Sequence, residues 1–219
     1  MKIALIGATG FVGAAVLAEL LRRGHEVGAL VRDAARLAPQ AGLAPVVADA
    51  YDADAVSGAV RGHDAVVSAF NPGWNDPALY ENFMRGSAAI ARGVEAAGVR
   101  RLLVIGGAGS LYVAPGVQLV DTEEFTAHVP PNIVPGARAA RDALDLMRAH
   151  TALEWTFLSP PAFLGQGERT GAYRVGADDL LKSGDRPAGI AVEDLALAVA
   201  DEIETPRHLR ARFTVASPL

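Results

Sequence analysis

The chain has 219 residues, 51% of them hydrophobic and 21% charged, with a net charge of −5 and no cysteine. That balance describes a folded globular protein without the basic surface that nucleic acid requires, and the missing cysteines exclude disulfides, thiolate catalysis and cysteine-ligated metals. No window holds about 18 uninterrupted apolar residues and no signal peptide is legible, so neither a membrane span nor export is expected and the cytoplasm is the default location.

Lys2–Ile6 (KIALI) reads as a strand that runs straight into Gly7. A helix follows over Phe11–Arg23, with apolar residues at Val12, Val16, Leu20 and Leu21, and Gly24 stops it. Val27–Val31 is a second strand, Ala34–Ala41 a short helix closed by Gly42, and Leu43–Ala48 a third strand. Asp52 caps a helix over Ala53–Arg61, Ala65–Phe70 is the fourth strand, a longer helix runs from about Asp76 to Ala97, and Arg101–Ile105 is the fifth strand. These strands are unbroken apolar runs without alternation, which suits a parallel sheet buried on both faces by crossover helices.

The rhythm then breaks. Gly106–Pro135 is rich in glycine and proline, helix resumes over Ala137–His150, and Trp155–Leu158 is the sixth strand. Ser159–Gly189 is again irregular, before a helix over Glu193–Ile203 and a last strand near Arg212–Val215. The expected architecture is therefore α/β: a Rossmann-type doubly wound parallel sheet forming one domain over residues 1–219. Ligands in such sheets bind beyond the carboxyl ends of the strands, where both irregular stretches begin. Segments 107–135 and 159–189 are accordingly expected to build a cap over a substrate pocket.

The spacing Gly7-Ala-Thr-Gly10-Phe-Val-Gly13, directly between a strand and a helix, is a phosphate cradle. Gly7 turns the chain, Gly10 lets the backbone approach a pyrophosphate, Gly13 lets helix and sheet pack, and the helix start offers unpaired N–H groups. Thr9 adds a hydroxyl. Arg32, immediately after the second strand, has the planar fork that matches a 2′-phosphate and favours NADP(H), with NAD(H) still possible. Asp33 is the counter-argument, since a carboxylate here would take the ribose, but it also reads as a helix N-cap. Asp49 at the end of the third strand is a candidate for the adenine side, or a plain cap.

The segments Phe70-Asn71-Pro72-Gly73-Trp74, Gly106 to Ser110 and Ser159 to Phe163 follow the fourth, fifth and sixth strands and form the expected wall around a nicotinamide. Trp74, Tyr112 and Phe163 offer flat surface for an acceptor ring. Ser110 and Tyr112 are the candidate catalytic hydroxyls, able in principle to polarise or orient an acceptor. Ser159 is within reach of a nicotinamide on this reading or bonds locally, and Ser68 lies inside a strand. No pair of histidines has zinc-protease spacing, and no metal is expected; His25 and His63 read as structural, His128 as the one to test for catalysis, and Asp121, Glu123 and Glu124 as a solvated acidic loop.

Taken together, G7-A-T-G-F-V-G13, Val31-Arg32-Asp33, Asp49, Gly106-Gly-Ala-Gly-Ser110 and Trp155-Thr-Phe-Leu-Ser-Pro160 resemble the atypical short-chain dehydrogenase/reductases. The resemblance is to their NADH–flavin reductase branch, similar to biliverdin reductase B and more distantly to NmrA-type proteins, and it covers almost the whole chain. It implies a seven-stranded parallel sheet in the order 3-2-1-4-5-6-7. It implies a cofactor lying across Gly7 to Gly13, with Phe11 and Val12 at the helix start, Arg32 at the 2′-phosphate, and Asp49, Ser68, Phe70, Gly106, Gly107, Ser159 and Pro160 along its length. A flavin or quinone-like acceptor would then be a substrate rather than a resident cofactor, with the protein monomeric or homodimeric.

One departure matters. Where typical members carry Tyr-x-x-x-Lys, this chain reads Pro135-Gly-Ala-Arg138-Ala-Ala-Arg141-Asp142, without a tyrosine or lysine. Guanidinium groups stay protonated and make poor acids. Ketone and alcohol chemistry is therefore disfavoured. Two functions fit: hydride transfer to a flavin or quinone-like ring, or non-catalytic sensing of NADP(H) in the manner of NmrA.

Overall fold

A computed structural model describes all 219 residues. Its centre is a sheet of eight strands: β1 (Lys2–Ile6), β2 (Glu26–Val31), β3 (Leu43–Val47), β4 (Ala65–Ser68), β5 (Arg101–Ile105), β6 (Glu154–Ser159), β7 (Arg174–Gly176) and β8 (Ala211–Ala216). Their spatial order is β7-β8-β6-β5-β4-β1-β2-β3. The seven strands other than β7 are parallel and follow the expected order, whereas β7 adds antiparallel to β8. It comes from the second irregular stretch, where three residues are too few to carry a readable period.

Helices α1 (Phe11–Arg22) and α6 (Val192–Glu204) cover one face of the sheet. Helices α2 (Ala53–Val60), α3 (Leu79–Ala96) and α5 (Val134–Arg148) cover the other, and the short α4 (Glu123–His128) stands off it. Neighbours on one strand consequently point into different cores: Leu103 packs with Val16 and Leu195, Leu102 with Ile90 and Leu144, and both leucines are fully buried. That two-sided burial is why the strands read as continuous apolar runs.

Between β2 and β3 the expected helix over Ala34–Ala41 shrinks to a single 3₁₀ turn, Ala34–Arg36. Asp33 caps it, its carboxylate accepting from Ala35 N at 2.9 Å, and Pro39 forbids continuation because its ring excludes the N–H that a helix interior needs. Helix α3 starts at Leu79 rather than Asp76. Asp76 instead accepts from the Ala78 amide and from the Asn82 side chain, organising the turn ahead of the helix.

Away from the glycine turn, charged side chains lock the elements together. Arg101, at the start of β5, pairs with the buried Glu202 of α6 at 3.0 Å. Burial lowers the Arg101 pKa, while Glu202 opposes that loss. The segment after β6 is strapped down by Arg169, which pairs with the buried Glu19 of α1, and by Thr170 and Gly171, which donate to the buried Asp194 of α6.

Candidate functional site

The site is set by the turn from β1 into α1. Gly7 has φ +85°, and a Cβ there would lie 2.4 Å from the Ala69 carbonyl oxygen. At Gly13 a Cβ would come within 1.9 Å of the Gly7 oxygen. Both glycines are thus required by the protein's own backbone. Gly10 differs: its Cβ would meet only the Gly7 oxygen, at 3.3 Å, so the protein itself nearly tolerates a side chain here. Gly10 is also the N-cap of α1, and no side chain caps that helix. The first amides of α1 therefore remain available to an anion.

A cavity of about 260 Å³ opens beside this turn. Of the sequence-predicted residues it gathers Gly7, Thr9, Gly10, Arg32, Asp49 and Phe70. Asn71, Pro72 and Gly73 of the expected nicotinamide wall join them, as do Arg36 and Tyr51, which sequence reasoning does not place against the cofactor. Arg32 and Arg36 are both exposed and neither forms an ion pair. Arg36 is legible as a second arginine in the Arg-Asp-x-x-Arg spacing, but the expected helix there obscures where it would point. Asp33 is occupied with the 3₁₀ turn, and Asp49 accepts from the Tyr51 amide at 2.9 Å while lining the cavity.

The other predicted residues stand elsewhere. Phe11, half exposed, and Val12 open α1 outside the cavity lining. Ser68 is buried at the end of β4 and faces a small void beneath α3 and α5. Gly106 and Gly107 follow β5 and pack tightly, so that a Cβ at Gly106 would overlap the Phe157 ring at 2.1 Å and one at Gly107 would meet Ala140 at 3.1 Å. Ser159 and Pro160 are buried at the end of β6.

Of the two hydroxyls read as catalytic, that of Ser110 is engaged within the protein. Ser110 is fully buried; its Oγ donates to the Gly107 carbonyl at 3.1 Å and shares a 2.9 Å hydrogen bond with the Ser159 hydroxyl, also fully buried. Tyr112 lies in a short hairpin, where its backbone bonds Asp178 and Leu180 and its ring rests on the Arg212 guanidinium, 5.4 Å from the ring centre. Arg212 in turn donates to the Ser110 carbonyl at 2.5 Å and pairs with Asp178. These contacts bind the hairpin and the 178–180 stretch to one another and, through Arg212, to β8. Both hydrogen bonds of the Ser110 hydroxyl are thus made inside the protein.

The stretch that replaces Tyr-x-x-x-Lys is equally committed. Arg141 pairs with Asp142 and with Asp121, and Tyr80 donates to Asp142 at 2.7 Å. Burial would raise the Asp142 pKa, but hydrogen bonds from Arg141 and Tyr80 pull it below the usual value. Arg138 is exposed on α5, a half-turn of the helix away from Gly136, the residue that faces Trp74 and Leu79. His128 is exposed at the end of α4, its ring bonded to the Glu124 carbonyl at 2.8 Å. His25 contacts Glu204 and the N-terminus, and His63 packs on Gly28, both as structural residues.

A cradle with room at Gly10, uncapped helix amides and two unpaired arginines on one cavity is a donor set for an anionic dinucleotide, with Tyr51 and Phe70 offering aromatic surface to its base. The family model described as NAD(P)H-binding matches residues 7–206. YwnB of Bacillus subtilis (strain 168) is 38% identical over 220 residues, covering 99% of both chains. A Bacteroides thetaiotaomicron structure with the provisional name of epimerase is 41% identical, with a TM-score of 0.91 over 100% of this chain and 97% of the other. A Streptococcus pneumoniae TIGR4 structure with the provisional name of NADH-flavin reductase is 30% identical, with a TM-score of 0.81 over the whole of both chains. By its motif, its fold and these matches, the chain belongs to the NAD(P)H-binding family, among the oxidoreductases of the short-chain dehydrogenase/reductase kind.

Proposed function

We propose that the protein is an NADPH-preferring reductase that delivers hydride to a flavin or quinone-like ring. The observation that carries the cofactor preference is the pair of unpaired arginines, Arg32 and Arg36, on the cavity beside the glycine turn. Two guanidiniums without carboxylate partners match the doubly charged 2′-phosphate, and Asp33, the residue that would favour a free ribose, caps its own turn and is not among the residues lining the cavity. The α1 amides and Gly10 receive the pyrophosphate. When bound, the reduced nicotinamide supplies the hydride, and the protein's part is to hold two rings in contact.

The acceptor class follows from what the site lacks. Ser110 is tied to its neighbours, Arg141 is a paired guanidinium, and no Tyr-x-x-x-Lys pair stands in α5 to protonate a carbonyl. A flavin or quinone-like ring tolerates this because its reduced nitrogen or oxygen can exchange protons with water. The name of the Streptococcus pneumoniae relative supports the same acceptor class, although that name specifies NADH.

Steady-state oxidation of NADPH with excess FMN, riboflavin or a simple quinone tests the reading; turnover well above the free-acceptor background is expected. Arg32→Ala should raise KM for NADPH by about tenfold or more, as expected for loss of a charge-assisted hydrogen bond, and change KM for NADH little. Equal losses for both cofactors would remove the assigned role. Tight NADP⁺ binding with no turnover on any acceptor would favour the sensor alternative, to which the scarcity of free acid groups is equally suited.

A further inference from the structure

The loop between β4 and α3 carries one large side chain that dinucleotide binding leaves without a role. Asn71, Pro72 and Gly73 line the cavity, and Trp74 comes next in the chain. Trp74 is 49% exposed, whereas the other tryptophan, Trp155, is 4% exposed and belongs to the core. The backbone that carries Trp74 is pinned on both sides. The Asn71 side chain accepts from the Gly73 amide at 2.8 Å, and the Gly73 carbonyl accepts from the Asp76 amide at 3.0 Å. The Trp74 carbonyl accepts from the Asn132 side chain at 3.3 Å. One edge of the indole rests on the first turn of α5, where a Cβ at the buried Gly136 would stand 3.0 Å from the indole Cζ3 and 2.8 Å from Leu79. The glycine thus makes room for the ring, and about half of Trp74 still faces solvent.

We propose that the exposed part of the Trp74 indole is the platform on which the flat ring of the acceptor stacks. The inference rests on the reductase reading above and names the residue that would select its acceptor. The loop leaves the carboxyl end of β4, which pairs with β1 and so stands beside the glycine turn. Ligands of doubly wound sheets lie beyond these strand ends. An indole held through its backbone and along one edge has few rotamers left to lose, so stacking on it costs little ordering entropy. Contact between aromatic rings stabilises by more than the area it buries. Such a platform reads flatness and conjugation, the properties that a flavin and a quinone-like ring share and a saturated carbonyl compound lacks. It asks for no acid or base, in keeping with a 135–142 stretch that holds neither tyrosine nor lysine.

The probe is riboflavin with saturating NADP⁺, a pair between which no hydride passes. Blue light excites the flavin and not the tryptophans, and stacking on an indole quenches flavin emission. Binding to the wild-type protein is expected to darken the flavin. Trp74→Leu should bind riboflavin about tenfold more weakly and leave its emission bright, while NADP⁺ affinity changes little. In NADPH oxidation the same variant should raise KM about tenfold for riboflavin and for a simple quinone alike. Trp74→Phe, which restores a flat ring, should recover most of the affinity. If Trp74→Leu binds riboflavin as tightly and as darkly as the wild type, the platform is overturned while wild-type turnover keeps the reductase reading. Dark binding by the wild type without turnover on any flavin or quinone overturns the reductase reading and keeps the platform. Should Trp74→Leu not fold, bright emission from flavin bound to the wild type overturns the platform in its place. A wild-type protein that neither binds riboflavin nor oxidises NADPH with a quinone overturns both.

Discussion

At the scale of single residues, the three glycines of the motif do different work. Gly13 is pressed against the Gly7 carbonyl, with 1.9 Å to a would-be Cβ, whereas Gly10 has 3.3 Å. Gly13→Ala should therefore destabilise the fold by about 3 kcal/mol, as overpacking does, read as a shift in urea midpoint. Gly10→Ala should fold nearly as well as the parent and lose nucleotide affinity in calorimetry, because its methyl group stands where a pyrophosphate would approach. Ser110 belongs with the structural residues: Ser110→Ala should cost about 1 kcal/mol in urea unfolding for the lost buried hydrogen bonds, and leave NADPH oxidation essentially unchanged. The glycine pattern, Arg32 and Asp49 are legible because motif spacing alone places them. The surroundings of Ser110 are not legible, because proximity to the end of a strand does not say whether a hydroxyl faces solvent or, as here, another buried hydroxyl from β6.

Among the elements, what could be read tracked the strength of the pattern. Strands β1, β2, β4 and β5 and helices α1, α3, α5 and α6 carry clear apolar patterns, and they emerge within a few residues of the expected bounds. The short hairpin around Tyr112, the edge strand β7 and the single turn after β2 depend on partners distant in sequence and leave no local signal. The strap after β6 is such a case: Arg169 finds Glu19 and Thr170 finds Asp194 across more than twenty intervening residues. Glu19 has a further consequence. Burial would raise its pKa, yet hydrogen bonds from Arg22, Arg169 and Arg23 outweigh this and lower it far below the usual carboxylate value. A depressed carboxylate contributes stability that is whole above its unfolded pKa, about 4.3, and drains away as pH falls toward the folded value. Urea midpoints should accordingly drop below about pH 4, and Glu19→Gln should be less stable at neutral pH with a flatter acid slope.

For the molecule as a whole, the sheet separates stability from binding. Its amino-terminal end is closed by the buried Arg101–Glu202 pair, with His208 and Thr156 completing the bonds to Glu202. Its carboxyl end carries the glycine turn, Arg32, Arg36 and Tyr51. Fold class and strand order followed from alternation of element types, which survives errors at any one boundary. Where the irregular chain travels is a matter on which alternation is silent. Ser110, Tyr112 and the 178–180 stretch are fastened through Arg212 to β8.

The two rims of the sheet are finished differently. On one side β3 presents Leu43–Val47 to solvent, and Pro45 in its middle withholds the amide that a foreign strand would need. On the other, three residues of β7 lie against β8 and shield a strand whose Phe213 and Val215 are buried. Excising residues 166–189 would uncover that apolar ribbon along its length. Such a truncated chain should associate with its own kind through intermolecular pairing, appearing as growing light scatter and thioflavin binding at concentrations where the intact chain stays clear.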